Sequence, residues 1–215
     1  MRSEQGDGPG DVKRARCHRN PNAPYKITPA TFQRWMRILL ATPDSVLWLV
    51  SANAAAQANL QSEAERSGVA PDRIVFAPFT QRPEHLARLS RADLFLDTAP
   101  YSAHTTASDA LWAGVPVLTT PGDTFASRVP ASLLHAVWLP ELIASTPEAY
   151  EALAIELAAD RTRLDALKRK LAAKVRTAPL FDTKRFARDL EKALAAMHDR
   201  RSRGLPPADI SVPLD

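Results

Sequence analysis

The chain has 215 residues, of which 45% are hydrophobic and 24% are charged, so its composition fits one sizeable globular α/β domain with some extra helices. No stretch approaches the roughly 18 consecutive apolar residues of a membrane span, and the polar N-terminus lacks the apolar core of a secretory signal. The single cysteine, Cys17, excludes an intramolecular disulfide and fits a reducing compartment. We therefore expect a cytoplasmic protein that has no membrane partner.

The net charge of +4 is a modest basic excess. Its visible clusters lie near the two ends of the chain, at residues 13–16 and 200–203, and no nucleic-acid-binding module accompanies them. A mild excess of this kind fits an anionic small ligand equally well. We predict no nucleic acid partner.

The N-terminal segment, residues 1–22, is polar and shows neither helical nor strand periodicity, so we predict it to be disordered or damaged. A helix is predicted over residues 29–41, because Thr28 is a good N-cap and Pro29 a good first-turn residue. From there onward, short apolar strands alternate with helices. The strands are predicted at residues 46–50, 73–76, 94–97 and 115–119, and the intervening helices end at Gly68, at residue 90 and at residue 113.

Strands of this length that alternate with helices predict an α/β fold with a Rossmann-like, doubly wound parallel sheet. Because no apolar strand precedes Tyr25, we expect the N-terminal part of the sheet to be incomplete. Long amphipathic patterns at residues 150–176 and 184–200 predict extra C-terminal helices. The predicted lobe thus covers residues 23–203, and an extended tail covers residues 204–215.

Ligands of an open parallel sheet bind beyond the carboxyl ends of its strands, where helix N-termini present free amides. Four segments occupy such positions, at residues 25–26, 77–88, 97–109 and 119–128. In the third segment, His104-Thr105-Thr106 offers two hydroxyls and a helix N-terminus, a combination that favours phosphate. Alternatively, Thr106 and Asp109 form a capping box that needs no ligand.

Two further groups of cations have both a functional and a purely structural interpretation. His85 and Arg88 share one face of a short helix and, with Arg82, could hold a nucleotide or form a solvated charged turn. Lys26 could neutralise a leaving phosphate or lie on the surface. Glycine-rich phosphate loops, zinc-binding spacings and an Asp-x-Asp pair are absent from the sequence. We therefore predict no cofactor and no metal, with phosphate neutralised by side chains and helix ends.

Six runs of sequence together resemble the C-terminal catalytic lobe of the protein O-GlcNAc transferases. The resemblance extends from about residue 22 to the end of the last helix. Its longest run is ADLFLDTAPYSAHTTASDALWAGVPVLTTPGDTFASRV, of which HTTASDALWAGVPVLTTPG is the most specific part. It implies a metal-independent, inverting transferase of the GT-B architecture, which has two Rossmann-like lobes and binds the donor mainly in the C-terminal one. The other runs are YKITPATFQRWMRIL, PDSVLWLV, DRIVFAPF, PEHLARL and PLFDTKRFARDLE.

The resemblance also implies roles for individual residues. Lys26 and His104, with Thr105 and Thr106, would contact the UDP diphosphate and stabilise it as the leaving group. For the ribose, the resemblance implies that Asp109 accepts hydrogen bonds from the hydroxyls and that Arg82 lies beside Asp109. For the uracil, it implies that His85 stacks on the ring and that Arg88, with the backbone near Thr80, contacts its edge.

A related branch, the protein O-fucosyltransferases that use GDP-fucose, tends to have threonine at the position of His104 and glutamate at that of Asp109. Both residues of this chain therefore favour UDP-GlcNAc. Two departures from the family pattern stand out. Ala23 replaces an amide side chain three residues before the lysine, and VKRARCHRNP replaces a hydrophobic strand and is expected to be unable to fill a buried sheet position.

We expect a UDP-GlcNAc-binding lobe that contributes to GlcNAc transfer onto Ser or Thr hydroxyls of an acceptor protein. The N-terminal lobe and the tetratricopeptide repeats implied by the family are not recognised here, which suggests a truncated, frameshifted or mis-started reading frame. The alternatives are a non-catalytic remnant that binds nucleotide or a partner, a GDP-fucose-using lobe, and a chain too incomplete to fold stably.

Overall fold

The computed structural model describes residues 16–20, 24–51 and 53–213. Five parallel strands form one sheet in the order β3-β2-β1-β4-β5. The predicted doubly wound parallel sheet is confirmed, and the four predicted strands lie within two residues of their predicted bounds. The strands are β1 Arg16–Asn20, β2 Ser45–Val50, β3 Ile74–Ala77, β4 Leu94–Leu96 and β5 Val117–Leu118.

The first strand contradicts the expectation that the N-terminal part of the sheet is incomplete, because residues 16–20 of the VKRARCHRNP segment occupy a sheet position. Strand β1 is the central strand, where His18 is in register with Leu47 of β2 and with Leu94 of β4. Parallel pairing uses main-chain N–H and C=O groups, and every residue of β1 supplies both. The sheet therefore has its first strand. The parts of the predicted N-terminal segment at residues 1–15 and 21–22, and the prediction for Ala23, lie outside the described residues.

Eight α-helices accompany the sheet in the described part of the chain. The helix predicted at residues 29–41 is confirmed, with the Thr28 hydroxyl accepting a hydrogen bond from the Thr31 N–H at 3.2 Å. The pattern at residues 150–176 forms two helices, because Asp160 ends the first and caps the second. The helices are α1 Pro29–Ala41, α2 Ala54–Arg66, α3 Arg82–Leu89, α4 Thr105–Trp112, α5 Phe125–Ala136, α6 Pro147–Ala159, α7 Arg161–Lys174 and α8 Thr183–Ser202.

The core lies between the sheet and these helices, and its largest fully buried side chains include Trp35 and Phe95. A short series of buried hydrogen bonds crosses it. The Trp35 indole donates to the Tyr150 hydroxyl at 3.4 Å, and that hydroxyl donates to the Asp97 main-chain carbonyl at 3.1 Å. These bonds join α1 and α6 to the residue that follows β4.

Helix α8 differs from the others, because none of its 20 residues is buried. Its apolar side chains recur at helical spacing and form what we call the α8 stripe, consisting of Phe186, Leu190, Leu194 and Met197, which are 46% to 66% exposed. No helix in the described residues is both long and apolar enough to cross a membrane.

Candidate functional site

The direction of chain winding changes between β1 and β4, and this change locates the candidate site. From β1 the chain proceeds outward through β2 and β3, whereas β4 lies on the other side of β1 and leads to β5. Ligands of open α/β sheets bind at such a switch point, outside the carboxyl ends of the strands. The turn Pro24–Lys26 follows β1, and residues 97–104, here called the switch-point loop, follow β4. Both segments therefore lie where a ligand is expected.

Lys26 contacts the switch-point loop directly. Its ammonium group donates a hydrogen bond to the Ser102 carbonyl at 3.2 Å and lies 4.2 Å from the centre of the Tyr101 ring. Partial burial lowers the pKa of Lys26, and the nearby charge of Asp97 opposes this effect. An ammonium group has three donors, and its described hydrogen bond uses one. The remaining donors are suited to an anion at the same edge of the sheet.

His104 closes the other end of the loop and is the N-cap residue of α4. Its ring stacks on Tyr101, with centroids 5.2 Å apart, and meets the Phe125 ring edge-on at 6.1 Å. The Nε2 atom lies 3.1 Å from the Ala126 carbonyl oxygen. A carbonyl oxygen only accepts hydrogen bonds, so Nε2 carries a proton here. In the neutral tautomer, Nδ1 is then the acceptor.

The capping-box interpretation of Thr106 and Asp109 is wrong. Helix α4 begins at Thr105, its N-cap is His104, and the His104 side chain makes no capping hydrogen bond. Thr105 and Thr106 thus occupy the first turn of α4, where the helix dipole favours negative charge. Asp109 instead pairs with Arg82, whose guanidinium nitrogen is 3.0 Å from the carboxylate.

The pair of Arg82 and Asp109 borders a cleft of about 360 Å³ between α3, α4 and the chain near Phe181. Only 14% of the Asp109 side chain is exposed, against 72% for Arg82, so the acid is held in the cleft wall while the cation projects outward. The structure thus brings together two side chains that are 27 residues apart in sequence. A carboxylate with a neighbouring cation at the wall of a cleft can accept hydrogen bonds from hydroxyl groups.

The remaining predicted residues lie around β3 and α3. Arg88 donates a hydrogen bond to the Pro78 carbonyl at 2.7 Å, and its guanidinium group lies 5.6 Å from the Trp48 ring. The Thr80 hydroxyl is shielded from solvent and has no hydrogen-bond partner among the described residues. His85 is half-buried on the same helix as Arg88. Arg88 therefore stabilises the segment that contains Pro78 and Thr80 through this hydrogen bond.

Asp97 is a residue of this site to which the sequence analysis gave no role, although it lies at the end of a predicted strand and at the start of a candidate segment. Its side chain is buried and accepts hydrogen bonds from the N–H groups of Thr98 and Ala103, at 2.8 and 2.7 Å, and from the Thr119 hydroxyl at 2.7 Å. Burial raises the pKa of Asp97 to about 6, although these hydrogen bonds lower it. The available signal was an acidic residue directly after the buried strand β4. Asp97 thus links the start of the switch-point loop to Ala103, near its end.

Within the described residues, no group of three or more His, Cys, Asp or Glu side chains is arranged to hold a metal ion.

Comparisons with known proteins agree with this architecture. The sequence profile of glycosyl transferase family 41 matches residues 11–190. The chain is 38% identical to a probable UDP-N-acetylglucosamine–peptide N-acetylglucosaminyltransferase of Arabidopsis thaliana over 192 residues, which are 89% of this chain and 20% of the relative. It is 36% identical to the UDP-N-acetylglucosamine–peptide N-acetylglucosaminyltransferase of Caenorhabditis elegans over 187 residues, 87% of this chain and 16% of the relative. The chain thus spans at most about a fifth of these curated relatives.

Solved structures give the same result. A Thermobaculum terrenum O-GlcNAc transferase mutant superposes with a TM-score of 0.81 at 33% identity, covering 89% of this chain and 37% of that one. A pneumococcal O-GlcNAc transferase, solved with UDP and GlcNAc, superposes with a TM-score of 0.52 at 14% identity. The superposition covers 86% of this chain and 37% of the pneumococcal chain, and it shows the shared fold alone. The predicted GT-B lobe is confirmed, and the predicted family is correct. The chain belongs to glycosyl transferase family 41.

Proposed function

We propose that this chain is the donor-binding part of a protein O-GlcNAc transferase, which binds UDP-GlcNAc for inverting transfer of GlcNAc to Ser or Thr hydroxyls. One observation supports this most directly: the Lys26 ammonium group, the His104 ring and the first turn of α4 meet at the switch point of the sheet. The identity of the proposed donor comes from the relatives, because the Caenorhabditis elegans relative is named a UDP-N-acetylglucosamine–peptide N-acetylglucosaminyltransferase and the Arabidopsis relative a probable one.

The proposed catalytic contribution is electrostatic. As the bond between the sugar and the diphosphate breaks, negative charge develops on UDP. The ammonium group of Lys26 and the N-terminal end of α4, with the hydroxyls of Thr105 and Thr106 and the ring of His104, would stabilise that charge. Such groups act most strongly where they are partly removed from water, as Lys26 is. In this proposal no metal ion is required.

The nucleoside would lie toward α3. The Asp109 carboxylate, held beside Arg82, is suited to accept hydrogen bonds from the two ribose hydroxyls. His85 and Arg88 share the adjacent helix, where the imidazole can stack on uracil and the guanidinium group, with the backbone near Thr80, can contact its edge. The opposite wall of the active site, the acceptor protein site and the tetratricopeptide repeats would come from polypeptide outside this chain, and we propose a cytoplasmic location.

A calorimetric titration with UDP, and with GDP alongside, tests this proposal. We expect UDP to bind, GDP not to bind, and Lys26→Ala to weaken the binding of UDP about tenfold or more, because a charge-assisted contact to phosphate is lost. Lys184→Ala is the matched control, since it removes an exposed lysine of α8. Equal UDP affinity of the two variants, or no UDP binding by the folded chain, would contradict the proposal.

A further inference from the structure

Tyr101 has no assigned role, yet it lies between the two side chains proposed to contact the diphosphate. The Lys26 ammonium nitrogen is 4.2 Å from the centre of the Tyr101 ring, a distance typical of a cation–π contact. The His104 ring stacks on it at 5.2 Å, with 22° between the planes. Tyr101 is therefore in contact with a group from the turn after β1 and with a group at the start of α4.

The position of this ring is determined by the loop that carries it. The Thr98 hydroxyl donates a hydrogen bond to the Tyr101 carbonyl at 2.8 Å, and the Ala103 N–H donates to the buried Asp97 carboxylate. Ser102, the next residue, is fully buried, and its carbonyl accepts the Lys26 hydrogen bond. Because the main chain is held on both sides of Tyr101, the ring provides a fixed surface for its neighbours.

An aromatic ring holds a cation differently from a carboxylate. Its face attracts the ammonium group through its quadrupole, without adding a negative charge beside it. The Tyr101 ring therefore adds no negative charge that would compete with an anionic ligand for Lys26. Tyr101 is also 48% exposed, so the residue is accessible to a ligand.

We infer that Tyr101 is a positioning residue, whose ring holds the Lys26 ammonium group and the His104 ring in the arrangement that receives the diphosphate. This inference rests on the proposed function. The geometric part, the contact of the ring with Lys26, can be measured in the unliganded chain, and its consequence can be measured as UDP affinity.

The decisive comparison is Tyr101→Phe against Tyr101→Leu. Phenylalanine keeps the aromatic face and loses only the hydroxyl, so we expect its UDP affinity to lie within about twofold of that of the unaltered chain. Leucine removes the face, and we expect UDP to bind about 3- to 10-fold more weakly. Phe186→Leu removes an exposed ring of α8 and is expected to change nothing. Thermal melting of each variant confirms that it is folded.

Proton NMR of the unliganded chain separates this inference from the proposed function. The side-chain protons next to the Lys26 nitrogen, identified by their loss in Lys26→Ala, should be shifted upfield by the ring. We expect the shift to persist in Tyr101→Phe and to disappear in Tyr101→Leu. Absence of the shift in the unaltered chain, or equal UDP affinity of the phenylalanine and leucine variants, would overturn the inference. An upfield shift without any UDP binding supports the contact and refutes the proposed function instead.

Discussion

The switch-point loop and helix α8 invert the usual relation between polarity and burial. In the loop, Asp97, Thr98 and Ser102 are polar and at most 4% exposed, whereas α8 carries four large apolar side chains that are 46% to 66% exposed. The loop residues are buried because each polar group has a hydrogen-bond partner. Hydropathy alone therefore does not locate the interior of this chain, and the satisfaction of hydrogen bonds must be considered with it.

The switch-point loop and helix α8 are also stabilised by different kinds of interaction. The Asp97 carboxylate accepts hydrogen bonds from Thr98 and Ala103 within the loop and from Thr119 outside it. The loop therefore depends partly on tertiary structure. Helix α8 is held mainly by local interactions, including the ion pair of Arg185 with Asp189 at 3.6 Å and that of Arg203 with Asp199 at 3.3 Å. Each such pair is worth a few tenths of a kcal/mol, about 0.2–0.5. Substitutions in the two regions should therefore have very different effects.

Among substitutions in the switch-point loop and helix α8, the largest effect is expected from Asp97→Ala. Removal of the carboxylate leaves the Thr98 and Ala103 N–H groups and the Thr119 hydroxyl without their acceptor, at a cost of about 3 kcal/mol in the free energy of unfolding. The control is Asp93→Ala, which breaks a partly exposed pair with Lys168 and should cost at most about 1 kcal/mol. Urea unfolding followed by circular dichroism measures both, and equal losses would show that the carboxylate is not the centre of the loop.

A smaller effect is expected from pH. Burial raises the pKa of Asp97 from 3.8 to about 6, so between about pH 4 and pH 6 the folded chain binds more protons than the unfolded chain. The free energy of unfolding should therefore fall as the pH rises through this window, by at most about 1.4 kcal/mol per pH unit from this group. Asp97→Asn removes the titrating group. The difference between the unaltered chain and this variant isolates its contribution from those of the other acids, and a pH-independent difference would refute the expectation.

The smallest effect on the free energy of unfolding is expected from a substitution in the α8 stripe. Leu194 is 53% exposed, so Leu194→Ala should change the free energy of unfolding by no more than about 0.5 kcal/mol. The matched core change, Leu171→Ala in α7, removes a fully buried side chain and should cost about 2–5 kcal/mol. Thermal and urea unfolding measure both variants. A large loss for Leu194→Ala would mean that α8 is held by more than its local interactions.

Most of the sheet could be predicted from the sequence, because β2, β3 and β4 are short apolar runs separated by helices. Strand β1 could not, since its residues, Arg-Cys-His-Arg-Asn, have no apolar pattern and its pairing uses main-chain groups. Because β1 was not predicted, the change in winding direction between β1 and β4 could not be predicted either. The strand-end rule nevertheless predicted that Lys26 and His104 lie at the carboxyl ends of the strands, where the structure has them.

The contacts within the site were harder to predict than its location. Lys26 and Ser102 are 76 residues apart, and no sequence pattern pairs an ammonium group with that carbonyl. The spacing of Thr106 and Asp109 fits a capping box, but the helix begins two residues earlier than that pattern requires and Asp109 has a partner in α3. Local spacing cannot weigh such distant partners, and the role of Asp97 depends on them in the same way.

The bonds from Trp35 through Tyr150 to the Asp97 carbonyl limit how this lobe can be divided or recombined. Every residue proposed to contact the donor lies before residue 110, yet the phenol that supports the start of the switch-point loop belongs to α6, at residues 147–159. A shorter polypeptide ending before α6 would retain all of those residues and leave a buried indole N–H without its acceptor. An exchange of C-terminal helices between relatives must therefore preserve a group that can accept from the indole and donate to the loop.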